Sequence, residues 1–272
     1  MNIKQIFLEG IDFIRQIYLN RRMMLELTRR DFMTKYVQNL FGLSWAILEP
    51  LAMMLILWIV FSQILHRNQR MDYPYVVFLL SGIVAYDFFN KTINQATRSI
   101  HSFSFLVKQV NFRVAVIPLI MIFTDLIIHF IVLAIIIPIF LLNGVTPSFY
   151  WFQVLYYIFC ACILLMGISW FTASVLLFFP DIQIIISIIM RMLFFMTPIF
   201  WSPAALSPGL IKIFRFNPLF YLAEGYRGSF IYHKPFWDDL PGTFYYWGLT
   251  AFFLILGVYT FKRLRPQFAD VI

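Results

Sequence analysis

The chain has few charged residues. Only 12% of its 272 residues are Asp, Glu, Lys or Arg, 61% are hydrophobic, and the mean hydropathy is +0.81. Soluble domains carry about a quarter charged residues, so this composition excludes a soluble globular enzyme and a disordered chain. Long unbroken apolar runs are typical of membrane-spanning helices, whereas a membrane β-barrel shows short alternating stretches. We therefore predict an all-α integral membrane protein.

Motifs for catalysis and metal binding are also scarce. The two cysteines, Cys160 and Cys162, and the four histidines have neither a metal-site spacing nor a nucleophile–His–acid arrangement. No glycine is followed by lysine, so the chain cannot build a P-loop. We expect no catalytic site, no metal and no cofactor in this chain. One weak alternative stays open, because His233 and Asp238 have the H-x-x-x-x-D spacing of glycerolipid acyltransferases.

Six segments are long and apolar enough, or nearly so, to cross a bilayer. They are 44–65, 74–90, 114–142, 149–178, 182–200 and 243–261. Fourteen of the 21 Lys and Arg residues then fall on the side that carries both termini, six fall on the other side, and one lies within a span. The positive-inside rule predicts six spans with both termini in the cytoplasm.

Three segments outside these spans have distinct patterns. Residues 2–18 have the apolar spacing of an amphipathic helix at the membrane interface. The loop 91–113 is basic and partly apolar, which a plain connector would not need. Residues 201–242 carry Pro203, Pro208, Pro218 and Pro235 between short apolar stretches, which predicts re-entrant helices on the outer face. The predicted parts of the chain are thus 1–43, 44–200, 201–242 and 243–272.

Polar residues inside spans are functional candidates, because burying them in lipid is costly. The candidates are Glu49, Asp125, His129 and Arg191. Asp125 and His129 are four residues apart and can pair on one helix face. Structural pairing and a role in substrate or proton transfer both remain open.

Aromatic residues gather near the ends of the predicted spans. They can form an interfacial belt that anchors the helices. Alternatively, some can line a conduit, since aromatic faces stack on the C–H-rich faces of sugars. The conduit candidates are Tyr86, Phe88, Phe89, Phe200 and Trp201.

A series of short motifs in a fixed order carries a family resemblance. The series is Arg30-Asp31, Lys35-Tyr36 followed by Gly42 and Trp45, Phe78-Leu79-Leu80-Ser81-Gly82, Leu106-Val107-Lys108 with Pro118, Thr197-Pro198-Ile199-Phe200, and Asn217-Pro218 followed by Glu224 and Arg227. Together with the six-span frame, the series resembles the permease subunits of ABC exporters for polysaccharides and polyol phosphates. That family serves O-antigen, capsule and teichoic acid export.

The resemblance implies a multi-pass subunit of the bacterial cytoplasmic membrane that has no ATPase site of its own. Its partners would be a nucleotide-binding ATPase subunit, which would bind ATP and Mg, a second copy of the permease, membrane lipids and a lipid-linked glycan, but no nucleic acid. An ABC permease for a drug or a lipid, or a membrane acyl- or glycosyltransferase, remains as an alternative.

The resemblance also implies roles for three groups of residues. The ATPase-coupling loop would use Arg98, Phe103, Phe105, Leu106, Lys108, Phe112 and Arg113. The pyrophosphate of the lipid-linked substrate would meet Arg21, Arg22, Arg29, Arg30, Lys35 and Tyr36, although the same basic run can simply contact anionic lipid. The outer-face motif would comprise Asn217, Pro218, Glu224 and Arg227.

Overall fold

A computed structural model describes residues 21–37, 42, 44–64, 73–108 and 112–272, and every regular element in these residues is helical. The predicted all-α class is therefore confirmed. The amphipathic helix predicted over 2–18 lies outside the described residues, as do residues 109–111 of the predicted coupling loop.

Eleven α-helices are found in the described residues. They are α1 Arg21–Phe32, α2 Ser44–Ile64, α3 Tyr75–Ser102, α4 Ser104–Val107, α5 Ile117–Leu142, α6 Val154–Leu176, α7 Ile182–Met196, α8 Pro208–Phe214, α9 Pro218–Arg227, α10 Leu240–Leu264 and α11 Phe268–Val271. Short π-helical segments cover Met33–Val37 and Gly228–Tyr232. Single 3-10 turns cover Val114–Val116, Phe149–Gln153, Pro203–Ala205, Phe236–Asp239 and Arg265–Gln267.

Four helical segments of the described chain are long and apolar enough to cross a membrane. They are Tyr75–Ser102, Val114–Leu142, Phe149–Leu176 and Phe236–Gln267. These confirm four of the six predicted spans. The other two coincide with shorter apolar helices, Ile47–Ser62 within α2 and Ile182–Met196.

The second predicted span continues well beyond its predicted end. The prediction that this span ends at residue 90 and that a loop begins at 91 is wrong, because α3 runs without a break to Ser102. No glycine or proline follows Gly82 within the helix, so nothing in its backbone stops it. Asp87, Asn90, Lys91, Asn94 and Gln95 fall on one stripe, so the helix can continue while its other faces stay buried.

The fifth predicted span is shorter than expected. The helix α7 ends at Met196, and Thr197 is extended, with φ −85° and ψ 135°. The cause is Pro198, since the residue before a proline is driven out of the helical region. Beyond it, Pro203, Pro208 and Pro218 each begin a short helix, the position that proline favours.

The core is built around α3, which packs against α5, α6 and α9. The helices α6 and α10 also lie in close contact along much of their length. Their backbones approach at Gly167 and Gly257, and a Cβ atom on Gly257 would collide with the Gly167 carbonyl. Small residues allow such close packing between membrane helices.

The two ends of the helix bundle differ in composition. The basic end, as we define it, comprises α1, the last turns of α3 with α4, and residues 262–272; a second apolar cluster joins these elements there. The opposite end comprises residues 143–153 and 197–239. The names describe the composition of the bundle and not the sides of the membrane.

Candidate functional site

A cavity of about 890 Å³ opens between the Met33–Val37 segment, α2, α3 and α7. Its polar lining consists of Lys35, Tyr36, Glu49, Asp87, Asn90, Lys91, Asn94, Gln95 and Arg191. Its apolar lining consists of Pro50, Met53, Ile83, Tyr86, Phe194 and Phe195. The cavity is therefore amphipathic. Three predicted groups contribute to it: the pyrophosphate-binding group with Lys35 and Tyr36, the conduit aromatics with Tyr86, and the polar residues within spans with Glu49 and Arg191.

The helix α3 supplies the polar wall. Asp87, Asn90, Lys91, Asn94 and Gln95 follow one another at steps of three, one, three and one residues. Such spacing places all five on one face of a helix. Lys91 belongs to the predicted loop 91–113, and the three amides belong to none of the predicted sites. The spacing from residue 87 onward was the signal that could have identified this wall.

Lys91 links α3 to α2 and to the Met33–Val37 segment. Its Nζ lies 3.5 Å from Oε2 of Glu49 and 5.6 Å from the ring centroid of Tyr36. Glu49 therefore has the partner across the bundle that a charge in a span requires. Burial raises the pKa of Tyr36, an effect that the nearby Lys91 partly offsets, so the Tyr36 hydroxyl is protonated at neutral pH.

Lys35 enters the cavity from the N-terminal side. Its Nζ lies 2.6 Å from Oδ2 of Asp31 and donates to Oε1 of Gln95 at 2.5 Å. It also lies 3.3 Å from the sulfur of Met121 on α5. Lys35 thus fixes the segment before α2 against α3 and α5 while its ammonium group borders the cavity.

Arg191 is the third cation of the cavity. Its Nε donates to the carbonyl of Ser187 one turn earlier, at 3.2 Å. In the part of the chain that the structure describes, no carboxylate lies within salt-bridge distance of its guanidinium group. Among these residues Arg191 therefore has no acidic partner across the bundle. Its charge is available to an anion in the cavity.

An amide holds the two long walls of the cavity together. Oδ1 of Asn94 on α3 accepts hydrogen bonds from Gln183 Nε2 and Ser187 Oγ on α7, each at 3.1 Å. Because Ser187 also precedes Arg191 by one turn, this contact sets the position of the arginine relative to α3.

The pairing predicted between Asp125 and His129 does not form. Nε2 of His129 instead hydrogen-bonds the Tyr226 hydroxyl at 2.8 Å, and its ring packs against Phe88. Both carboxylate oxygens of Asp125 are buried without a hydrogen bond among the described residues. Contact with α9 therefore outcompetes the local i, i+4 pair.

The five aromatic residues predicted for a conduit lie in different places. Tyr86 borders the cavity and donates its hydroxyl to the Met190 carbonyl at 2.7 Å. Phe88 and Phe89 are buried in the helix core. Phe200 stacks on Phe61, and the Trp201 indole donates to the Phe195 carbonyl. Of the five, Tyr86 alone is among the described residues that line the cavity.

The predicted coupling residues all lie at the basic end. Leu106 and Phe112 are buried in the apolar cluster with Trp170, Phe261 and Phe268, and Phe103 packs against it. The remaining four are exposed: Phe105 is 50% exposed, Lys108 and Arg113 lie on the surface, and Arg98 borders a small depression beside α6. This segment is therefore held to the bundle by the buried side chains of Leu106 and Phe112, and the Phe105 ring protrudes from it.

The predicted pyrophosphate-binding residues belong to α1 and the π-helical segment after it. Arg21, Arg22, Arg29 and Arg30 are exposed on α1, whose buried Met24 and Thr28 face the bundle. Arg30 lies 6.0 Å from the ring centroid of Phe105. Of the six residues in this group, Lys35 and Tyr36 reach the cavity.

The outer-face motif forms a clamp at the opposite end. The Asn217 side chain caps α9 by accepting a hydrogen bond from the Leu219 N–H at 2.9 Å. It also donates to Thr197 Oγ1 at 2.8 Å, and Pro218 occupies the first turn of α9.

Fully buried Arg227 forms the second part of this clamp. It lies 2.6 Å from Glu224 and donates to the carbonyls of Phe78 and Ile199. These contacts join the segment after α7 to α3 and α9.

Comparison with known proteins identifies the family of the chain. Residues 23–231 match the family model described as ABC-2 type transporter, so the chain belongs to the ABC-2 type transporter family. The chain is 25% identical to an O-antigen export system permease protein RfbA of Klebsiella pneumoniae, over 92% of this chain and 95% of that protein. The corresponding permease of Myxococcus xanthus is 22% identical over 96% of this chain and 100% of its own length. A shorter match, 36% over 27% of this chain and 28% of that protein, is to the polysialic acid transport protein KpsM of Escherichia coli. The family resemblance inferred from the sequence is therefore confirmed.

Proposed function

We propose that the chain is the permease subunit of an ATP-driven exporter that carries a lipid-linked polysaccharide, or a polymer of the teichoic acid type, across the cytoplasmic membrane. Family membership and the full-length match to O-antigen export permeases support this function. The observation that carries it is the amphipathic cavity, because a lipid-linked glycan presents phosphate, sugar and hydrocarbon at one point. The cavity offers cations, amides and apolar surface together.

Lys35, Lys91 and Arg191 would meet the phosphate groups of the substrate. Lys35 and Lys91 are already shared with carboxylates, so Arg191 is the cation most able to take a new anionic partner. The apolar lining on α2 and α7 includes Met53 and Phe195, which are 48% and 64% exposed, so the lipid chain would remain in hydrocarbon there. The polar wall of α3 would face the sugars.

Six spans with both termini in the cytoplasm fit the described helices. The helix α2 has 21 residues, which corresponds to about 31 Å at 1.5 Å per residue and matches the hydrocarbon thickness of about 30 Å. The 15 residues of α7 reach only about 22 Å, so the extended segment after Met196 would complete that crossing. The basic end would then face the cytoplasm.

A separate ATPase subunit would bind ATP and Mg and dock at the basic end. The protruding Phe105 has the properties of an anchor residue. Its ring is exposed while the neighbouring Leu106 is buried, so the ring can be inserted into a partner at little entropic cost. Two copies of the permease would enclose the path of the glycan. No cofactor would be held by this chain.

The proposal is tested in a strain that lacks the gene. Deletion should cause lipid-linked glycan to accumulate on the cytoplasmic side, and the wild-type gene should restore export. Arg191→Gln should restore it poorly, since a charge-assisted hydrogen bond to phosphate contributes about 1.5–3 kcal/mol. The control Lys212→Gln, which removes an exposed cation outside the cavity, should restore it fully. Normal glycan export in the deletion strain would refute the proposed function.

A further inference from the structure

A second pocket, of about 640 Å³, lies at the opposite end of the bundle, between α8, α9, the Phe236–Asp239 turn and the start of α10. It lies apart from the cavity on α3, and the two share no lining residue. Its volume is in the range of small-molecule binding sites. No part of the proposed phosphate site extends into it.

Aromatic rings form much of the wall of this pocket. Tyr232 and Tyr245 are 38% and 37% exposed, so part of each ring faces the open side of the pocket. The Tyr245 hydroxyl donates to the Phe216 carbonyl at 2.8 Å. Phe236 stacks on Tyr156 with ring centroids 4.5 Å apart. The rings are therefore fixed before any ligand arrives, which lowers the entropic cost of stacking.

Hydroxyl and carboxylate oxygens fill the spaces between the rings. The Tyr221 hydroxyl lies 3.0 Å from Thr243 Oγ1 and 3.2 Å from the Tyr156 hydroxyl. Glu224 uses one carboxylate oxygen for Arg227, and the Asp238 side chain makes no hydrogen bond in the described residues. Such groups can both donate to and accept from a ligand that carries many hydroxyls.

The charges of the pocket argue against an anionic ligand. Three carboxylates and two cations line it, and the cation of Arg215 already lies 3.5 Å from Asp239. With Arg227 paired to Glu224, the charges around the pocket are balanced, so a nucleotide or a phosphate would meet no excess of cations. A lipid chain would meet polar groups on several sides, each costly to desolvate.

We infer that this pocket is a binding site for uncharged saccharides, in which sugar rings stack on the tyrosine and phenylalanine side chains and sugar hydroxyls bond the carboxylates. The inference rests on the proposed function only for the source of the glycan. Saccharide binding at this end, remote from the phosphate site, would hold the sugar portion of a substrate independently of its lipid.

The test uses the full-length permease in lipid nanodiscs, where both ends of the bundle are accessible. Cellotetraose, mannotetraose and chitotetraose serve as neutral probes, and tetrasialic acid serves as the anionic counterpart. Binding is measured by saturation-transfer NMR and by equilibrium dialysis. At least one neutral probe should bind saturably, and tetrasialic acid should not.

Neighbouring residues of α10 supply a matched pair of variants. Tyr245→Ala removes a pocket ring and should weaken neutral-probe binding about tenfold. Phe244→Ala removes a ring that is 74% exposed outside the pocket and should leave binding unchanged. Tyr245→Phe should retain binding, because the stacking face persists. Should Tyr245→Ala fail to fold, Tyr232→Ala gives the same test.

Absence of binding by all three neutral probes, tighter binding of tetrasialic acid, or equal effects of Tyr245→Ala and Phe244→Ala would each overturn the inference. These results would leave the proposed function intact, since that function is judged by glycan export in the deletion strain. Loss of the proposed function would conversely appear there and not in probe binding.

Discussion

Replacing Arg227 by methionine should destabilise the protein by about 3–5 kcal/mol, the usual cost of removing one partner of a buried ion pair. The guanidinium group is fully buried, lies 2.6 Å from Oε1 of Glu224 and is 3.6 Å from the ring centroid of Phe78. Nη2 also donates to the Ile199 carbonyl at 2.9 Å. Methionine matches the first four side-chain atoms of arginine but lacks the guanidinium group, so it leaves these groups without their donor.

The size of the loss follows from the individual contacts. The Phe78 carbonyl keeps a donor, Ser81 Oγ at 2.9 Å, so its desolvation is partly offset. The Ile199 carbonyl loses its arginine donor, and an unsatisfied buried acceptor costs about 1–3 kcal/mol. Glu224 is 30% exposed and can be rehydrated, so Glu224→Gln should cost less than Arg227→Met.

Equilibrium unfolding in mixed micelles, followed by tryptophan fluorescence, measures this loss. Lys212→Met, which replaces an exposed lysine on α8, serves as the control and should lie within about 0.5 kcal/mol of the wild type. Should Arg227→Met unfold with the stability of Lys212→Met, the clamp between α3, α9 and the segment after α7 would contribute nothing. The structural explanation of the outer-face motif would then be wrong.

Three further predictions concern packing, docking and topology. Gly257→Ala should destabilise by about 1–3 kcal/mol in the same unfolding assay, because its Cβ would collide with α6, and unchanged stability would contradict the close packing. Phe105→Ala should leave membrane insertion unchanged but lower co-purification of the ATPase subunit. The control Phe149→Ala, which changes an 85% exposed ring at the opposite end, should not lower it. Equal recovery of the ATPase with both variants would mean that Phe105 is not part of the docking surface. For the topology, Cys160 and Cys162 are first replaced by serine, and a single cysteine is then introduced at the exposed position of Ser102 or Ser207. In intact cells, Ser102→Cys should be protected from an impermeant thiol reagent, and Ser207→Cys should be labelled. The reverse pattern would invert the proposed topology.

The sequence predicted the class of the fold because hydropathy and helix length are local properties. Four of the six predicted spans coincide with helices long enough to cross the membrane. The extent of α3 was missed, since a hydropathy window ends where polar residues begin, although Asp87 and Asn94 lie on the polar face of a continuing helix. A test of helical periodicity beyond residue 90 would have extended it.

The contacts that form the cavity could not be predicted from local spacing. Glu49 meets Lys91 across 42 positions of sequence, and Asn94 meets Gln183 across 89. The expected pair of Asp125 and His129 was local, and it lost to a bond between His129 and Tyr226, 97 positions away. Family resemblance named Asn217, Glu224 and Arg227, but their common role as a clamp required the fold.

Photo-cross-linking from the cavity tests the central claim most directly. Benzoylphenylalanine is introduced at Phe195, which borders the cavity and is 64% exposed, or at Phe252, which is 57% exposed on α10 and does not border it. Each variant is expressed with a hydrolysis-deficient ATPase partner and irradiated in cells that synthesise the glycan. We predict that the permease becomes linked to lipid-linked glycan, detected with a glycan-specific antibody, from position 195 and not from position 252. Linkage from position 252 alone, or none from position 195 while the lipid-linked glycan accumulates, would contradict the account.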